Sequence, residues 1–166
     1  MSAAAAAQEE ERLHFEDFAV GDSWTLAPFS MSEEDIVEFG RRWDPQPFHS
    51  DPVAARDSSF GGLIASGIHT LAAVVRAQYD GLMSRVAAVA GVGFDGLRFR
   101  TPVRPGQTLQ LTVTVVDVSP QRPDRDWGQV IFRLDVTNSD GEEVLHLNNR
   151  VMIWLRAHDA APSAGS

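Results

Sequence analysis

The chain has 166 residues, enough for one domain whose hydrophobic core needs no disulfide or metal to hold it. Fourteen basic side chains against 23 acidic ones give a formal net charge of −9, which argues against a nucleic-acid or anionic-membrane partner. Every basic side chain is Arg and there is no Cys, which removes a P-loop or Schiff-base lysine, a thiol nucleophile and a Cys-ligated zinc site.

Residues 1–12 are mostly Ala and Glu, and residues 157–166 are small and polar. Both stretches read as disordered tails around one domain spanning 13–156. The start lacks the cationic residues and long apolar run of a secretory signal, and no stretch reaches the roughly 18 apolar residues of a membrane span. A cytoplasmic location is expected.

Asp22 to Ser30 reads as a short strand with Trp24 and Leu26 on one face. Ser32 then caps a helix whose acidic first turn, Glu33-Glu34-Asp35, suits the positive helix end. Ile36, Phe39 and Trp43 follow at helical spacing, and Pro45 and Pro47 end that helix. A short helical turn is expected over 52–56. A longer helix runs from about Ser66 to Tyr79, with Ile68, Leu71, Ala72, Val75 and Tyr79 as an apolar stripe, widened by Ile64 and Val74, that a sheet is expected to cover. Strands follow: one beginning at Leu97 to Arg100, then strict alternation over 109–115 and 130–137, and a last strand carrying Leu145, Leu147, Val151, Ile153 and Leu155 on one face. Asp140-Gly141 marks the hairpin turn between the last two. One long helix against a mainly antiparallel sheet is an α+β layout.

Three segments carry the chemistry. Gly91-Val92-Gly93-Phe94-Asp95-Gly96 matches a dinucleotide-binding pattern, but it opens a strand where that motif must open a helix. It is read as a flexible lead into the sheet. Trp43 to Pro52 places Asp44, His49 and Asp51 among three prolines. It is either a polar surface turn or a stiff bend that brings Asp44 and His49 together, and its spacing fits no familiar zinc motif. Phe60 to Thr70 leads into the long helix at Gly67, whose unobstructed N–H suits an oxyanion or whose missing side chain simply permits close packing. Ser66 reads as a cap rather than a nucleophile, and His69 as a core or interface histidine that can also reach substrate.

Asp44-Pro45-Gln46-Pro47-Phe48-His49-Ser50-Asp51-Pro52, Gly62-Leu63-Ile64-Ala65-Ser66-Gly67 and Pro102-Val103-Arg104-Pro105-Gly106-Gln107-Thr108-Leu109 together resemble the MaoC-like dehydratases, which include the (R)-specific enoyl-CoA hydratases. The resemblance implies a hotdog fold, a long central helix wrapped by a curved antiparallel sheet, assembled as a homodimer or dimer of dimers. It implies reversible hydration of a trans-2-enoyl thioester to a (R)-3-hydroxyacyl thioester. Asp44 and His49 are then catalytic, the Gly67 N–H forms the oxyanion hole, and Gln46, Ser66 and His69 are candidates for substrate contact. No metal or redox cofactor is implied; coenzyme A is part of the substrate, and the acidity of the chain favours it over an acidic carrier protein. Arg98, Arg100, Arg104 and Arg122 are candidates for its phosphates. The sequence departs from the family pattern at Trp43 (often Gly), Gln46 (often Asn), Ser66 (often His) and Val75 (Ser in some hydratases). A hotdog thioesterase and a non-catalytic acyl-CoA-binding subunit are the competing readings.

Overall fold

The computed structural model describes residues 12–119 and 122–159. Of the expected tails, 1–12 and 157–166, residues 1–11 and 160–166 lie outside the described residues, while residues 157–159 belong to a helical turn.

The alternating segments form a single antiparallel sheet. Its strands are β1 (Ser23–Thr25), β2 (Ala88–Phe99), β3 (Leu109–Val118), β4 (Trp127–Asn138) and β5 (Glu143–Trp154), in the order β1-β3-β4-β5-β2. Leu111, Val113 and Val115 of β3, Phe132 and Leu134 of β4, and Leu145, Leu147 and Ile153 of β5 are all buried on one face, as a two-residue period demands. The hairpin between β4 and β5 turns at Asp140-Gly141, with Gly141 at φ 80°.

Among the described residues four α-helices accompany the sheet: α1 (Glu33–Trp43), α2 (Pro47–Ser50), α3 (Gly67–Gly81) and α4 (Arg156–Asp159). The expected turn near 52–56 is a 3-10 turn at Ala54–Asp57. α3 is the long helix whose inner face meets the core.

Three expectations change. The first strand is shorter than 22–30; after Thr25 the Leu26 N–H still donates to the Leu111 carbonyl at 2.9 Å and Phe29 forms an isolated bridge with Leu109, while Pro28 between them cannot donate to a ladder. The glycine-rich stretch 91–96 is not a flexible lead. It lies inside β2, an edge strand paired with β5 through three register shifts, and the glycines are compatible with that bulged course.

The third change concerns α3. Its innermost residues are Thr70, Val74 and Gln78, while Ile68 and Tyr79 are 58% and 56% exposed and Val75 is also exposed. The polar members of the inner face find partners in part. The Thr70 hydroxyl donates to the Ser66 carbonyl at 3.1 Å, and the Gln78 side-chain oxygen accepts from the Asn149 amide at 2.9 Å. Gln78 Nε2 is buried with no hydrogen-bond partner among the described residues, so the inner face carries a donor whose burial is a cost, while the more apolar stripe faces outward. No helix among the described residues is long and apolar enough to cross a membrane.

Gly128 marks the tightest packing in the sheet. A Cβ built there would lie 2.3 Å from two ring carbons of the buried Phe15. Gly128→Ala is expected to destabilise the fold by about 1–3 kcal/mol through overpacking, lowering Tm by about 2–4 °C for each kcal/mol in a chain of this size. Thermal melts followed by circular dichroism check this.

Candidate active site

α1 delivers the carboxylate. Ser32 and Asp35 form a reciprocal cap at its start: the Ser32 hydroxyl oxygen accepts the Asp35 N–H at 3.0 Å and Asp35 accepts the Ser32 N–H at 3.2 Å. The Ser32 hydroxyl also donates to Asp35 Oδ2 at 2.6 Å, and this bond, followed by that from the Ser32 N–H, holds the Asp35 carboxyl below its usual range. The helix ends at Trp43, with the Asp44 N–H still bonded to the Gly40 carbonyl at 3.0 Å. Pro45 then bars continuation.

The proline segment is not extended throughout. Pro47 occupies the first turn of α2, where a missing N–H is tolerated, and this single turn folds His49 back toward Asp44. His49 Nδ1 lies 2.9 Å from the Ile64 carbonyl oxygen. A carbonyl can only accept, so Nδ1 carries the proton and, in the neutral ring, Nε2 presents a lone pair. Nε2 lies 3.6 Å from Asp44 Oδ2, beyond direct hydrogen-bond range and at a separation a shared donor can bridge.

The loop before α3 completes the arrangement. The Ile64 N–H donates to the Phe48 carbonyl at 3.0 Å and the Ala65 N–H to the Val103 carbonyl at 2.9 Å. Ser66 caps α3, accepting the Ile68 N–H at 3.2 Å, and donates its own proton to Asp44 Oδ2 at 2.7 Å. Gly67 begins the helix, and its N–H has no hydrogen-bond partner among the described residues. His49 and Gly67 line the same cavity, of about 270 Å³, whose walls include Phe48, Phe60, Ile64 and Phe99. The Phe99 ring packs onto Gly67; a Cβ there would lie 2.9 Å from its Cζ. The glycine therefore answers both expectations, close packing and an open amide.

The structure brings Asp44, His49, Ser66 and Gly67 together and leaves the other candidates apart. Asp44 does not itself line the cavity; it reaches the site through Ser66 and His49. Ser66 is 1% exposed and outside the cavity lining. Gln46 supplies its backbone carbonyl to His49 N–H at 2.9 Å and its side chain is exposed. His69 lies in a separate surface depression, stacked on Phe39 at 4.5 Å; partial burial pushes its pKa down, against a smaller upward pull from Asp35. Asp51 accepts the backbone N–H groups of Ala54 and Val53, which hold its carboxyl below the usual range.

Gly40 escaped the sequence reading, and Arg104, there a candidate for phosphates, takes a different role. An added Cβ at Gly40 would lie 2.1 Å from the His49 carbonyl oxygen, so Gly40 is what lets α1 and α2 approach closely enough to pair Asp44 with His49. Nothing in the helical pattern of α1 distinguishes this glycine. Arg104 donates to the carbonyls of Phe60 and Leu63, tying the loop before α3 to the segment before β3. Of the four arginines considered for phosphates, Arg100 alone lines the cavity.

A five-stranded antiparallel sheet against one long helix, with an acid and an imidazole gathered at that helix's start, is a hotdog fold. The chain belongs to the MaoC-like domain family, whose model matches residues 17–133. It is 32% identical over 162 residues to a 3-hydroxybutyryl-CoA dehydratase of Methylorubrum extorquens, covering 92% of this chain and 90% of that one. It is 32% identical over 153 residues to an (R)-specific enoyl-CoA hydratase of Rhodospirillum rubrum, covering 86% and 93%. The crystal structure of a MaoC-like dehydratase from Rhodospirillum rubrum superposes with a TM-score of 0.78 at 37% identity, covering 87% of this chain and 98% of that one.

Gly40→Ala is expected to push α2 away from α1, because backbone atoms cannot yield as a flexible side-chain end can. The variant should melt lower than the wild type by the equivalent of about 1–3 kcal/mol, and the His49 ring signals in NMR spectra should shift with it. Unchanged ring signals would show that the contact does not position His49.

Proposed function

We propose that the chain is an acyl-thioester hydratase/dehydratase that reversibly adds water to a trans-2-enoyl-CoA to give a (R)-3-hydroxyacyl-CoA. The observation that carries this reading is the single cavity shared by the His49 ring and the unpaired Gly67 N–H, with Asp44 bound beside it through Ser66. The names of the two relatives, a dehydratase and a hydratase of CoA thioesters, point the same way.

An enoyl thioester is a weak electrophile toward neutral water. A water held between Asp44 and His49 Nε2 would donate to both acceptors and keep a lone pair for C3 of the substrate. As the C3–O bond forms, the O–H bond breaks and the acid–imidazole pair takes up the proton. The electron pair of the double bond moves onto the thioester, where the Gly67 N–H and the positive end of α3 stabilise the enolate oxygen. The proton returns at C2, so the net change is the addition of one water. The reverse sequence is dehydration.

Arg100, at the cavity and 3.9 Å from Glu143, is the side chain placed to meet a CoA phosphate. The assembly that accompanies this reading is a homodimer or dimer of dimers. The unpaired edge of β2 with its exposed Val92 and Phe94, together with the outward stripe of α3, supports it.

Asp44→Asn and His49→Ala should each lower kcat by about 10²-fold or more, the scale of a lost acid–base partner; Asp44→Asn should melt close to wild type, and His49→Ala lower, because it leaves the Ile64 carbonyl without its donor. Loss of enoyl absorbance measures hydration and a thiol-reactive dye measures hydrolysis in the same screen. Release of free thiol without hydration would replace this reading with a thioesterase, and near-normal rates in both variants would remove the pair from the chemistry. Arg100→Ala should raise KM several-fold for a CoA thioester and leave KM for a pantetheine-truncated thioester unchanged, the signature of a contact to the distal phosphates.

A further inference from the structure

We propose that Ser66 is a positioning residue for Asp44, a role that rests on the hydratase reading of the same site. A hydroxyl has one proton to give. The Ile68 N–H occupies the oxygen of Ser66 at 3.2 Å, and the Ser66 proton goes to Asp44 Oδ2 at 2.7 Å. The order of donors is therefore settled: backbone amide of α3, hydroxyl, carboxylate.

The consequence is directional. Oδ2 is the oxygen that faces both Ser66 and His49 Nε2, and Oδ1 has no hydrogen-bond partner among the described residues. Asp44 follows the last turn of α1 with its side chain 32% exposed. No other hydrogen bond in the described residues restrains that side chain, so without Ser66 it is free to rotate toward solvent. Ser66 cannot touch substrate itself, since it is 1% exposed and lies outside the cavity lining. The hydroxyl acts through Asp44, fixing the carboxylate relative to the imidazole and to the helix start that carries the Gly67 amide. The geometry of the acid is thus tied to the geometry of the oxyanion donor by one side chain.

The test uses the full chain with Ser66→Ala, Ser66→Gly and Ser66→Thr. Glycine is the second hydroxyl-free variant because it caps helices nearly as well as serine, which keeps α3 intact if alanine does not. Both hydroxyl-free variants should lower kcat by about 10- to 100-fold, the scale of a small misplacement of a reacting group, with KM within about twofold of wild type. Threonine should restore most of the rate. In an Asp44→Asn background, removing the hydroxyl should change the residual rate by less than about twofold, because the partner it holds is gone. Equal losses with and without Asp44 would overturn the proposal, placing the effect in the helix start instead. Crystal structures of the variants provide a readout independent of turnover. The Asp44 carboxylate should leave its place beside His49 in the alanine and glycine variants and keep it in the threonine variant. A carboxylate that stays in place overturns the proposal. A wild-type chain that hydrates no enoyl thioester would defeat the hydratase reading while these structures still decide the role of Ser66.

Discussion

The site depends on a backbone clip between α2 and the loop that enters α3. His49 Nδ1 donates to the Ile64 carbonyl at 2.9 Å, and the Ile64 N–H donates back to the Phe48 carbonyl at 3.0 Å. The pair fixes the ring orientation, its tautomer and the distance between the imidazole and the helix start. One turn of helix is too short to be stable alone, so α2 takes its position from these bonds and from its packing on α1. Everything chemical in the cavity follows: where the Nε2 lone pair points, and how far it lies from Asp44 and Gly67.

The polar groups around the helix start form a chain in which each has a defined direction. The Ile68 amide donates to Ser66 and Ser66 donates to Asp44, while Gly67 lines the cavity and its amide has no partner among the described residues. Such a start concentrates unpaired N–H groups and partial positive charge in a few ångströms, which favours a carboxylate on one side and a developing oxyanion on the other. The cavity walls are mostly apolar, so these few polar contacts act where water screens them less. The motif before β3 serves the same end. Val103 and Arg104 bind backbone groups of residues 60–65, so a segment adjoining the sheet holds the approach to α3.

The outward stripe of α3 and the free edge of β2 show how burial departs from simple amphipathic logic. Thr70 and Gln78 lie beneath the helix, where the Thr70 hydroxyl meets the Ser66 carbonyl and the Gln78 oxygen meets Asn149, while Gln78 Nε2 has no partner among the described residues. Hydrophobic residues such as Ile68 and Tyr79 remain exposed on the other side. An exposed apolar face next to an unpaired strand edge leaves both dispersion contacts and ladder hydrogen bonds unmade, and the second-copy assembly proposed above would satisfy both.

The sequence by itself determined the α+β layout, the three inner strands with their inward faces, the hairpin at Asp140-Gly141, the cap at Ser32 and the start of α3 at Ser66-Gly67. These are local properties: a two-residue period, a turn preference and a capping side chain operate over a few neighbours. It also put Asp44, His49 and Gly67 forward as one group, through their motif context and the family resemblance. Only the tertiary structure decided which face of α3 is inside, that residues 91–96 belong to an edge strand, and that His69 and Gln46 stand away from the cavity. It alone revealed Gly40 beneath His49, Arg104 against Phe60 and Leu63, and the proton that Ser66 gives to Asp44. Each of these joins residues from different elements, 9 to 44 positions apart along the chain in the hydrogen bonds and contact just named. The reason is that a contact between separate elements is set by how they pack, which no local period or spacing encodes.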